Sequence, residues 1–93
     1  MATCLRRLKA NGEFGKQFEL ASDEWDLDFQ LSLSMKWIDE NAKKLNNGRW
    51  ILDIGFCMRK NVAISGYTIN CSAMKKLSRL KIDLWLSHYP GKC

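Results

Sequence analysis

The chain has 93 residues and a mass of 10.8 kDa, 46% of them apolar and 11% aromatic. That is enough for one hydrophobic core and too little for a second, and it excludes a disordered polyampholyte. Fifteen Lys and Arg against ten Asp and Glu leave a net charge of +5, basic but far from a polycation.

The first 24 residues predict a hairpin. Asn11-Gly12 is a favoured dipeptide of tight hairpin turns, and Phe14, Phe18 and Leu20 supply one face of the second strand. A short helix through Leu5 and Leu8 is the competing reading. From Trp25 to Ser34, Trp25, Leu27, Phe29, Leu31 and Leu33 alternate with Asp26, Asp28, Gln30, Ser32 and Ser34. Period two over ten residues predicts a strand with one buried face. The period then changes. Met35, Ile38, Ala42 and Leu45 form the stripe of an amphipathic helix, with Ser34 as its cap and Asn46-Asn47-Gly48 as its end.

Arg49 to about Met58 predicts a second strand, with Trp50, Leu52, Ile54, Phe56 and Met58 on one face. Val62 to Ile69 predicts another, interrupted at Ser65-Gly66. Asn70 or Ser72 caps a short helix through Leu80 that turns Ala73, Leu77 and Leu80 inward. A last strand from about Lys81 to Tyr89 points Ile82, Leu84 and Leu86 inward and Asp83, Trp85 and Ser87 outward. The expected fold is α+β, a mostly antiparallel sheet of four to five strands with two helices on one face. It forms a single domain over residues 1–93, with the hairpin in 1–24 and strand, helix, strand, strand, helix, strand in 25–90.

The alternation predicts an open sheet face holding Asp26, Asp28, Gln30, Ser32, Asp53, Cys57, Asp83, Trp85, Ser87 and Tyr89. That face is acidic and aromatic. Lys36, Lys43 and Lys44 fall on the first helix, and Lys75, Lys76 and Arg79 on the second. Residues 1–35 carry four basic and six acidic side chains, a net of −2, whereas residues 36–93 carry eleven and four, a net of +7. The net charge is therefore a sum of two unlike regions.

Chemistry-bearing motifs are few. Asp26 and Asp28 share a face, as any polar side of a strand does. His88 is the single histidine, and neither Cys57 nor Cys71 has a nucleophile signature around it. Cys4, Cys57, Cys71 and Cys93 have no CxxC or zinc-finger spacing, so no metal or cofactor is expected. They read as reduced thiols of a cytoplasmic protein, with Cys71 at a helix N-terminus the most reactive; two disulfides in a secreted protein are the alternative. The segment from Met1 to Gln17 has no apolar signal-peptide core, and no run approaches the roughly 20 apolar residues of a membrane span. Trp25 and Trp50 are expected in the core, Trp37 at its edge and Trp85 on the open face.

Trp25-Asp26-Leu27, Leu52-Asp53-Ile54-Gly55, Ser72 to Leu77 through Leu80, and Ile82-Asp83-Leu84 to Tyr89-Pro90 carry a resemblance. Over residues 25–90 the chain resembles a family of small bacterial α/β proteins of unknown function, some suspected as immunity proteins against toxins. It departs from them in a shorter helix between Ser34 and Gly48. The resemblance implies an α+β sandwich in a bacterial or phage setting and no catalytic residues. The expected function is thus a non-enzymatic inhibitor or immunity-type protein. Asp28, Asp53, Asp83, Trp85 and Tyr89 would meet a basic protein partner. The alternative is weak nucleic-acid binding by Lys43, Lys44, Lys75, Lys76 and Arg79.

Overall fold

The segment that alternates most regularly in the sequence is helical. In the computed structural model, which describes residues 3–21, 25–45, 48–57 and 68–89, helix α1 spans Leu27–Asn41 and continues as a 3-10 turn over Ala42–Leu45. Asp26 is its N-cap, accepting from the Phe29 N–H at 3.0 Å through Oδ2. The cap therefore lies eight residues before the one expected at Ser34. Leu27, Leu31, Ser34 and Ile38, together with Gln30, form its buried face, while Phe29 is 51% exposed. Leu27 and Leu31 fit a period of two and a helical face equally well. The residues between them decide, with polar Gln30 inside and apolar Phe29 outside.

The N-terminal hairpin forms as expected, from β1 (Thr3–Leu8) and β2 (Phe14–Ala21), and excludes the competing helix. Gly12 sits at φ 86° in the turn, a left-handed conformation that glycine adopts freely. Strand β3 (Arg49–Phe56) pairs antiparallel with β1 and parallel with β4 (Ile82–His88). Among the described residues the sheet order is β2-β1-β3-β4, four strands in a mixed sheet. Of the expected strand over Val62 to Ile69, residues 62–67 lie outside the described residues, and Thr68 and Ile69 are irregular.

Helix α2 (Cys71–Arg79) is capped by Asn70, whose Oδ1 accepts from the Ala73 N–H at 2.8 Å. Only Leu80 and Lys81 separate it from β4. Lys81 is held at φ 58°, a left-handed helix-end position more often filled by glycine. Leu5, Leu52 and Ile54 of the sheet pack with Leu27, Leu31 and Ile38 of α1, Leu77 of α2 and Ile82 of β4, so both helices cover one face. Each fully buried leucine contributes about 2 kcal/mol of hydrophobic stabilisation.

Candidate functional site

Strand alternation leaves Cys4 and Arg6 of β1, Ile51, Asp53 and Gly55 of β3, and Asp83, Trp85 and Ser87 of β4 on the face away from the helices. Gln17 and Glu19 join them, paired with Arg6 and Cys4. Three residues of β1, from Arg6 to Leu8, face four of β2, from Phe14 to Gln17. This bulge turns Phe14 to the open side, away from the face it was expected to share with Phe18 and Leu20. There the Arg6 guanidinium lies 5.3 Å over its ring.

The structure brings together four of the five residues expected to meet a partner. Asp53 and Trp85 are direct register partners, Asp83 is two register pairs away, and Tyr89 follows the strand. Trp85 is 55% exposed and Tyr89 47%. Asp28 is not among them. It lies in the first turn of α1, on the helical side, because the segment that alternation assigned to the sheet is a helix. Asp26, Gln30 and Ser32 leave the expected face for the same reason.

The acidity of the face is also corrected. Arg6 Nη2 lies 3.2 Å from Asp53 Oδ2, and Arg49 Nη2 lies 3.2 Å from Asp83 Oδ2. Arg49 shares the parity of Asp53 within β3, which the alternation of that strand gives directly, whereas Arg6 joins them through the pairing of β1 with β3. Glu19, Asp53 and Asp83 against Arg6 and Arg49 leave the face nearly neutral. The pair at Asp83 is solvent-exposed and adds little stability.

Trp25 is not in the core. It stands edge-on to Tyr89, ring centroids 5.5 Å apart, at the end of the open face. Both rings lie against Gly55, where a Cβ would come within 2.7 Å of Tyr89 Cε2 and 3.3 Å of Trp25 Cζ3. Backbone bonds fix the arrangement, from Cys57 N–H to Trp25 O and from Tyr89 N–H to Phe56 O, each 2.8 Å. Trp50 is buried, and Trp37 is partly covered beside Phe18 at 4.9 Å, both as expected.

The thiols differ from one another. Cys4 is buried beneath the open face, and burial raises its pKa against the opposing effect of Arg6, whose Nε donates to Cys4 Sγ at 3.2 Å. Cys71 is exposed and free. Cys57 is disulfide-bonded, so the expectation of four reduced thiols fails there. Spacing along a chain does not report which thiols folding brings together. A disulfide-bonded Cys57 has no thiol to act as a nucleophile, and His88 is an exposed strand residue beside Phe56. Among the described residues, no three His, Cys, Asp or Glu gather as metal ligands. No helix among them is long and apolar enough to cross a membrane.

The helical cations are divided between two elements. Lys43 and Lys44 are exposed on the 3-10 turn, and Lys75 and Arg79 on α2. Lys76 Nζ is held 2.6 Å from Asp39 Oδ1 of α1, which ties the two helices together and removes one cation from the set. The chain matches no family model, no curated protein and no solved structure.

Proposed function

We propose that the chain is a non-enzymatic interaction protein that docks on a protein partner through the open face of its sheet. The observation that carries this reading is Trp85, a large aromatic side chain more than half exposed in the middle of a strand. Its register partner Asp53 and neighbour Asp83 are each ion-paired, so the ring is rimmed by charge. An aromatic anchor inside a polar rim is a common form of a protein interface. A basic partner surface would displace Arg6 and Arg49 from the carboxylates, and an inhibitor or immunity-type role is the concrete form of the reading.

A cytoplasmic location belongs to the same proposal. The Cys57 disulfide is the observation that pulls against it, since such bonds persist in oxidising compartments.

The test is differential capture from host lysate with the native chain, Trp85→Ala and Lys75→Ala. A protein retained by the native chain and Lys75→Ala but lost from Trp85→Ala supports the reading, provided thermal unfolding is unchanged. Identical retained sets for all three overturn it.

A further inference from the structure

The end of the sheet at the hairpin turn carries a different chemistry. Arg7 and Lys9 at the end of β1, Lys16 of β2 and Arg49 at the start of β3 line one groove of about 760 Å³, with no carboxylate among its lining residues. Lys9 and Lys16 have no acidic partner among the described residues, and Arg49 shares an exposed pair with Asp83. Lys9 and Lys16, with the two guanidinium groups beside them, give the concavity a positive potential that favours an anion placed between them.

The groove holds its cations against bare backbone. A Cβ at Gly48 would stand 2.9 Å from Arg7 Nε, and one at Gly15 would stand 3.1 Å from Lys9 Cε. Both side chains therefore lie flat on glycines, which narrows their positions before a ligand arrives. Phe14, the register partner of the groove residue Leu8, is 46% exposed. With the Arg6 guanidinium over it, this ring offers a stacking surface beside the cations.

We infer that this groove binds the phosphodiester backbone of a single-stranded nucleic acid, with an unpaired base stacked on Phe14. The guanidinium forks of Arg7 and Arg49 suit phosphate oxygens. An acidic peptide would use the cations equally but leave the ring without a role. A duplex would keep its bases from the ring. The site lies at the hairpin end of the sheet, shares Arg49 with the rim around Trp85, and uses none of the helical lysines.

The experiment is fluorescence anisotropy of a labelled 20-nucleotide oligo-dT with the full chain over a series of salt concentrations. Native protein binds at low salt, with log Kobs falling linearly against log salt. Lys9→Gln/Lys16→Gln removes two contacts and reduces that slope by about 1.4. Phe14→Leu weakens binding roughly tenfold, the size of one lost stacking contact. Lys43→Gln/Lys44→Gln leaves binding unchanged. The inference is overturned by any of four results: absence of oligonucleotide binding at low salt, equal loss from the Lys43/Lys44 variant, polyglutamate binding as tight as oligo-dT, or a duplex of the same length binding more tightly. Each of these outcomes is independent of capture through Trp85.

Discussion

Helix α1 turns Gln30 and Ser34 toward the sheet, whereas α2 turns Ala73 and Leu77. Both helices bury a face against one core, but α1 does so partly by hydrogen bonding. Gln30 Nε2 donates to Gly55 O at 2.6 Å and to Thr3 Oγ1 at 3.0 Å, and Ser34 Oγ donates back to Gln30 O at 2.7 Å. One amide thus ties α1 to β3 and β1 at once. The comparison teaches that a buried polar residue can specify a packing face as firmly as a leucine, while erasing the periodic signal by which that face is recognised.

The comparison is broken most directly at Gln30. Gln30→Ala should cost about 4 kcal/mol in urea unfolding, from a cavity plus two lost buried hydrogen bonds. Leu77→Ala should cost about 3 kcal/mol, from packing alone. Gln30→Leu restores volume without donors and should remain about 2 kcal/mol below the native chain; native stability for it would mean that the hydrogen bonds of α1 are dispensable. The helix caps come next. Asp26→Ala and Asn70→Ala should each cost about 1 kcal/mol, and circular dichroism should show equal fraying at the two N-termini. The smallest effect sharpens the comparison most. Phe29→Ser should change stability by no more than about 0.5 kcal/mol, because the ring is half exposed on a helix. A loss of several kcal/mol would restore Phe29 to the buried face of a strand.

Where one kind of residue carried each face, the sequence was legible. Strand β3 alternates Trp50, Leu52, Ile54 and Phe56 toward the helices, and the structure buries all four. Helix α2, its Asn70 cap and strand β4 follow from the same simplicity, as does the hairpin from Asn11-Gly12, but Leu86, expected inward, is 38% exposed on the edge strand β4. Segment 25–34 was misread because Leu27 and Leu31 fit both periods and the deciding positions hold glutamine inside and phenylalanine outside. That single error carried Asp28 onto the wrong face. Within the candidate site, Asp53, Asp83, Trp85 and Tyr89 were legible from strand parity. Arg49 shares that parity, but Arg6 and Phe14 were not legible, because their place depends on which strands are neighbours and on a bulge in the hairpin. The basic groove is a tertiary juxtaposition of residues from three strands, and no local pattern announces it.

The contact of Trp25 and Tyr89 over Gly55 joins positions 30 and 34 residues apart along the chain. Closing loops of that length from an unfolded chain would cost about 3 kcal/mol each. Here the pairing of β3 with β4 and the docking of α1 have already closed them. The rings then give up only local rotamer freedom, about 1 kcal/mol or less apiece. Their meeting is a consequence of long-range order established by other segments, which makes the pair a reporter of completed folding and leaves the driving of it to the core beneath.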